Sequence, residues 1–382
     1  SLNLSALDGT NGFVLNGIGG YEESGRSVSG AGDINGDGFA DLIIGAKSAD
    51  PNGNTYAGES YLVFGGEGAF AASLDLSALN GTNGFVINGI DGGDQSGRSV
   101  SGAGDINGDG FDDLIIGANE ADPNGNSRAG ESYVVFGGSG GFAASLNLSA
   151  LDGTNGFVLN GIDGNDQSGR SVSGAGDIDG DGFDDLIIGA YNADPNGNSR
   201  AGESYVVFGR DFTSAADNTG TAGDDALVGT TSGDVMIGGL GADTLDGAGG
   251  ADALRGGGGN DRLEIGDAGF QRVDGGGGTD VLAIDGSFDL DLTAIGDTKL
   301  TDIEQIDLTG SGANLLTLDD GEVINLSTTS NRVVVDGEAG DSVDGGSGWT
   351  NDGVDPVLGA GFTAYSQGTA ELVVNDAVSI AL

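Results

Sequence analysis

The stretch Asp33-Ile34-Asn35-Gly36-Asp37-Gly38-Phe39-Ala40-Asp41 carries side-chain oxygens at its first, third, fifth and ninth positions and glycines at its fourth and sixth. A hard cation such as Ca²⁺ takes about six to eight oxygen ligands. A loop that alternates carboxylates with glycine turns wraps one ion without straining its backbone. Asp33, Asn35, Asp37 and Asp41 offer side chains, Phe39 offers its carbonyl, and Gly38 stands where a sharp turn is needed. The same grammar returns as Asp105, Asn107, Asp109, Phe111 and Asp113, and again as Asp177, Asp179, Asp181, Phe183 and Asp185. Three copies in one chain point to calcium that organises structure.

A second oxygen-rich pattern starts at Gly220, where the period drops to nine. Asp225, Asp234, Asp243, Asp252 and Asp261 share one register, and Leu227, Met236, Leu245, Leu254 and Leu263 another. A degenerate nine-mer, Gly266–Asp274, follows, and a clean one with Asp280 resumes after a one-residue slip. Each nine-mer reads as a half-coil of turn plus short strand, with the apolar residue pointing into a thin core. The turn brings carbonyls and an Asp to a calcium ion shared with a neighbouring coil. So thin a coil buries little apolar surface, and without ions its acidic turns keep it unfolded.

Composition narrows the chemistry further. The 382 residues hold 60 Asp and Glu against 12 Lys and Arg, a net charge of −48. That argues against nucleic acid and anionic membranes as partners. Filling three loops removes only about six charges, at two per Ca²⁺, so more cation sites or a saline medium are implied. With no Cys and no His, thiol chemistry and the commonest general base and zinc ligand are absent. A glycosidase needs a pair of carboxylates, but most repeated Asp residues already serve the metal loops and no isolated acid/base couple stands outside them. The chain is read as a non-enzyme. No run is long enough for a transmembrane helix. The chain begins at Ser1-Leu2 without Met or a cleavable signal, as expected of a processed chain or a piece of a longer one.

The three loops sit in 72-residue units, because Ser1–Leu7 returns as Ser73–Leu79 and Ser145–Leu151. Each unit reads as four short strands, in the first copy Leu2–Leu7, Gly12–Asn16, a buried run through Leu42-Ile43-Ile44, and Ser60–Phe64. Asp50-Pro51-Asn52-Gly53 supplies a turn. Four strands and a long period suggest propeller blades. Three blades leave open edges, which further blades upstream or neighbouring chains would cover. Arg26, Arg98 and Arg170 recur in Ser-Gly-Arg-Ser and are read as structural ion pairs before ligand contacts. Arg128 and Arg200 are read as solvated, and Tyr61, Tyr133 and Tyr205 as packing.

These units resemble FG-GAP repeats, those of the integrin alpha propeller and its bacterial relatives. The resemblance rests on Phe64-Gly65, Phe136-Gly137 and Phe208-Gly209, with Gly45-Ala46, Gly117-Ala118 and Gly189-Ala190 after each loop and strand. Lys47, Asn119 and Tyr191 replace the proline that ends the family motif. The nine-mers resemble the RTX parallel β-roll. After them, Phe288–Leu292, Ile303–Leu308, Arg332–Val335 and Glu371–Val374 alternate like strands, one short helix fits Asp319–Leu326 with Asp as N-cap, and Trp349 is read as packing. Such a tail behind RTX repeats looks like the end of type I secreted bacterial proteins, whose export signal is C-terminal and uncleaved.

The expected fold is all-β, with three FG-GAP blades over 1–212 (units of about 1–72, 73–144 and 145–212), a β-roll over 213–283 and a β-rich C-terminal domain over 284–382. The expected function is an extracellular calcium-binding structural or adhesive protein of a bacterial surface layer, fibre or matrix. It would bind several Ca²⁺ ions, self-assemble as a homo-oligomer, filament or sheet, and meet surface glycans or cell-surface ligands. The alternative is a calcium-dependent lectin-like module of a larger secreted protein.

Overall fold

The structure, a computed structural model, describes residues 3–66, 68, 70–310, 312–327 and 330–382. It divides into two compact units, the first ending at Thr213. The second runs from Ser214 to Leu382 and takes in the loop segments Gly108–Gly110 and Asp179–Phe183.

In the first unit, repeat one contributes β1 (Val14–Asn16), β2 (Ser27–Gly32), β3 (Asp41–Ala46) and β4 (Glu59–Val63). Repeat two contributes β5 (Ser73–Asp75), β6 (Gly84–Asn88), β7 (Ser99–Gly104), β8 (Asp113–Ala118) and β9 (Glu131–Val135). Repeat three contributes β10 (Ser145–Asn147), β11 (Gly156–Asn160), β12 (Ser171–Gly176), β13 (Asp185–Ala190) and β14 (Glu203–Val207). The blades are antiparallel, and the first two each borrow their fourth strand from the following repeat. Blade one is β2-β3-β4-β6 and blade two is β7-β8-β9-β11, whereas blade three stops at β12-β13-β14.

Two strand expectations need correction. The segment Leu2–Leu7 begins outside the described residues, and Leu4–Ala6 within it is a 3-10 turn. Its later counterparts are three-residue strands, β5 and β10, followed by the same turn. The strands β2, β7 and β12, each Ser-Val-Ser-Gly-Ala-Gly, are additional to the expected ones, because their one large apolar residue gives no periodicity. Glycine is needed there for close approach, since a Cβ on Gly102 would lie 3.0 Å from the carbonyl oxygen of Gly30 in the neighbouring blade. Tyr61 and Tyr133 are buried, as expected of packing residues, and the Tyr61 hydroxyl donates to Glu59 at 2.6 Å.

The second unit is a parallel coil. Strands of alternate nine-mers stack in two sheets, and one apolar ladder runs Leu227, Leu245, Leu263, Leu282. The facing ladder runs Met236, Leu254, Val273, Leu300. The pairing of Ala253–Arg255 with Arg272–Asp274 makes the degenerate nine-mer a true coil carrying the one-residue slip. The first ladder does not end with the nine-mers. It continues through Ile306, Val335 and Val374, while a third ladder stacks Leu290, Leu316, Val343 and Ile380. One hydrophobic core therefore extends from Met236 to Val378. The stretch from 284 onward prolongs the coil, with an antiparallel hairpin of Thr350–Val354 and Phe362–Gln367 added at its edge.

The helix α1 (Asp320–Leu326) is capped by Asp319, whose carboxylate accepts the N–H groups of Gly321 and Glu322, and it buries Val323 and Leu326. Trp349 packs on the core and donates its indole N–H to the Gly345 carbonyl at 2.8 Å.

Candidate calcium sites

The first loop is drawn tight by its own carboxylates. Asp33 Oδ1 accepts the N–H groups of Gly36 and Asp37 at 2.8 and 3.0 Å, and its Oδ2 accepts that of Gly38 at 2.8 Å. Gly38, at φ +89°, makes the turn. Asp37 Oδ1 accepts the Phe39 N–H at 2.9 Å, which holds the Gly38–Phe39 peptide just before the candidate carbonyl ligand. Asp41, at the start of β3, is fully buried; its Oδ2 accepts the Ile34 N–H at 3.0 Å and its Oδ1 the Gly65 N–H at 2.8 Å. Burial pushes the Asp41 carboxyl up to about 7 and raises that of Asp33. A cation beside them would offset that cost of desolvation.

The later loops repeat this frame. Asp113 Oδ2 and Asp185 Oδ2 accept the Ile106 and Ile178 N–H groups, and their Oδ1 atoms accept those of Gly137 and Gly209, both at 2.9 Å. Asp105, Asn107, Asp109 and Phe111 occupy the same loop positions in repeat two. In the third loop, carboxylate oxygens of Asp177, Asp179 and Asp185 lie within 4.8 Å of one another. Asp181 turns its Oδ1 to the Phe183 N–H.

In the coil the aspartates form two lines. Along one, the Asp225 N–H donates to Asp243 Oδ1 at 2.7 Å, Asp243 to Asp261 at 2.8 Å, and Asp261 to Asp280 at 2.8 Å. Along the other, Asp234 donates to Asp252 at 3.0 Å. Each Oδ1 is thereby spoken for, but Oδ2 of Asp243, Asp261 and Asp280 is buried with no hydrogen-bond partner. Each unpaired oxygen faces the first glycine of its own nine-mer. A Cβ on Gly238, Gly256 or Gly275 would come within 2.6, 2.5 or 2.9 Å of it. A buried carboxylate with a spare oxygen is costly, and burial pushes Asp261 up to about 6 and Asp280 up to about 7. Lines of spare carboxylate oxygens beside turn carbonyls are the donor set of a hard divalent cation. The residues fit calcium.

Sequence reading missed Glu304. Its Oε2 accepts the Asp280 N–H at 2.9 Å, taking the place of the next aspartate in the line although it lies outside any nine-mer. It also misread the arginines of Ser-Gly-Arg-Ser. Among the described residues Arg26, Arg98 and Arg170 form no ion pair. Arg170 lies over the Tyr191 ring, 5.5 Å from its centroid, which replaces a carboxylate as the seat of the cation. Burial, with Arg170 and Arg26 nearby, holds the Arg98 guanidinium below its ordinary value. Arg128 is mostly exposed and reaches Glu120 at 3.1 Å.

The blades and the coil are those of two known repeat classes. The FG-GAP repeat profile matches residues 24–63, 96–135 and 168–207, and the RTX calcium-binding nonapeptide repeat profile matches 219–254 and 228–263. The chain thus carries three FG-GAP repeats followed by RTX repeats, which bind several Ca²⁺ ions. It is similar to integrin alpha-5 of Xenopus laevis (32% identity over 174 residues, 44% of this chain and 15% of that protein). Integrin alpha-IIb of Mus musculus is 31% identical over 168 residues, 42% of this chain and 14% of that protein. Phosphatidylinositol-glycan-specific phospholipase D of Bos taurus is 29% identical over 201 residues, 51% of this chain and 22% of that protein. The chain therefore spans less than a quarter of the length of these curated relatives. Together the two repeat classes mark an extracellular calcium-binding repeat protein, and both are repeat classes without catalytic machinery. Among the described residues no helix is long and apolar enough to cross a membrane.

Proposed function

We propose that this chain is a structural or adhesive, non-enzymatic protein of a bacterial surface layer, fibre or matrix, which folds and self-assembles on calcium after type I secretion. The observation that carries this reading is the line of buried, unpaired carboxylate oxygens on Asp243, Asp261 and Asp280. Such a line leaves the coil poorly stable until cations arrive, so metal binding drives folding. In this reading the ligands of the blades are Asp33, Asn35, Asp37, Phe39 and Asp41 with their counterparts in repeats two and three. Those of the coil are Asp225, Asp234, Asp243, Asp252, Asp261 and Asp280. At low free calcium, a net charge of −48 keeps the chain extended, as suits passage through a narrow export channel. At higher calcium the same charge is neutralised and the ordered surfaces meet.

Electron microscopy of the protein in calcium and then in chelator tests this. Filaments or sheets that disappear on chelation are expected. A β-sheet circular dichroism spectrum indifferent to chelator, or particles that never assemble, would overturn the reading.

A further inference from the structure

The two ends of the blade array are complementary halves of a junction that the chain builds twice internally. At each internal junction three phenylalanines meet, one from the Phe-Gly of a repeat and two from the repeat after it. Phe64 lies 6.1 Å from Phe85 and 5.6 Å from Phe142, and those two stack at 4.7 Å. Phe136, Phe157 and Phe212 repeat the cluster. At the front of the array, Phe13 and Phe70 stack at 4.7 Å without a Phe-Gly partner. At the back, Phe208 is 52% exposed, whereas its counterparts Phe64 and Phe136 are 7% and 5% exposed.

The strands show the same split. β14 has no partner on its outer edge among the described residues, where β4 and β9 carry β6 and β11. Gly12–Asn16, which contains β1, reads Gly-Phe-Val-Leu-Asn, identical to the Gly156–Asn160 that closes blade two. Leu4 is 75% exposed, while its counterparts Leu76 and Leu148 are buried against the preceding blade at 0% and 1%.

We propose that the front of repeat one docks on the back of repeat three in a second copy of this chain, by the rule that joins the repeats internally. Gly12–Asn16 pairs antiparallel with β14, Gly12 opposite Val207 and Asn16 opposite Glu203, as Gly156 faces Val135 and Asn160 faces Glu131 inside the chain. Phe208 then completes the cluster of the partner's Phe13 and Phe70, and the partner's Leu4 is covered. Such a contact is heterologous, so it propagates into a filament or closes as a ring. One internal bond is missing from it. Asp112 Oδ2 and Asp184 Oδ2 accept the N–H groups of Asp33 and Asp105 in the preceding blade at 2.7 and 2.8 Å, but Ala40 stands at that position in repeat one. The junction between copies is weaker than the internal ones, as a reversible assembly requires.

This inference rests on the calcium-driven assembly proposed above and names its contact. The test is sedimentation velocity of the full chain in calcium over a concentration series. Leu4→Asp blocks the front and Phe208→Asp the back, and both sites are exposed enough for the variants to fold. Val357→Asp, at a residue 78% exposed in the other unit, controls for added charge. Each blocking variant is expected to weaken association roughly tenfold or more, as loss of a central anchor does, and the control to leave it unchanged. An equimolar mixture of the two blocked variants is expected to give one-to-one dimers. Assembly that ignores Leu4→Asp and Phe208→Asp, or blocked variants that do not pair when mixed, overturns this contact and leaves calcium-driven assembly standing. A parent chain that stays monomeric in calcium overturns both, and assigns the open ends to further repeats or another partner.

Discussion

Asp41 Oδ1 accepts the backbone N–H of Gly65 at 2.8 Å, across 24 residues of chain. The loop's last carboxylate and the Phe-Gly that closes the repeat are therefore one device. The bond recurs from Gly137 to Asp113 and from Gly209 to Asp185. Because Asp41 also holds the Ile34 N–H, it ties the start of β3 to the end of β4 and to the loop that follows β2.

Asp41→Ala leaves the buried Ile34 N–H without an acceptor, at about 1–3 kcal/mol, frees the partly buried Gly65 N–H as well, and removes one loop ligand. Thermal melting should fall in calcium, and calorimetric titration should count one fewer bound ion. An unchanged ion count would remove Asp41 from the ligand set.

Gly256→Ala tests the coil. The new Cβ would meet Asp261 Oδ2 and the Gly275 carbonyl oxygen at 2.5 Å, so calcium capacity should drop and stability fall by about 1–3 kcal/mol. Gly223→Ala, where nothing lies within 4 Å, should behave as the parent.

Chelation should unfold the coil, and sodium chloride should not rescue it. Screening over a Debye length of about 10 Å at 0.1 M relieves exposed charges but does not reach Asp261 and Asp280, which are buried. Circular dichroism in chelator, with calcium or matched ionic strength added back, distinguishes the two. Equal recovery in sodium chloride would show that the coil needs only general screening.

Glu322, in the first turn of α1, supplies a pH dependence. Burial first, then Asp297, Asp319 and Asp291, push its carboxyl up to about 7. Its folded value lies above its unfolded one, so its contribution to stability is fully present below the ordinary glutamate range and is lost as pH rises through 7. At fixed calcium this one group should contribute a decline in melting temperature from about pH 5 to about pH 8. Glu322→Gln should flatten that decline, and a slope unaltered by the substitution would place the titrating group elsewhere.

The ladder Leu227, Leu245, Leu263 and the capped helix at Asp319 were legible because local spacing encodes them. The loops were legible because a metal site demands oxygen at fixed positions. Three things were hidden for want of a local signature. The fourth strand of blades one and two belongs to the following repeat, and the sequence of Gly84–Asn88 does not say which edge it joins. The strands β2, β7 and β12 are built of serine and glycine for close packing. The coil's continuation through Ile306 and Val335 has spacings of 24 and 29 residues from the preceding rung, too irregular to register as a repeat.

Each unit of both arrays takes contacts from the unit that follows it. Asp225, Asp243 and Asp261 each donate an N–H to a carboxylate 18 or 19 residues further on, and blades one and two each take their outer strand from the repeat behind them. A cut through the blade array therefore exposes both of its faces: removing the third repeat strips β11 from β9, and removing the first uncovers Leu76. The array cannot be shortened from either end without leaving a raw edge.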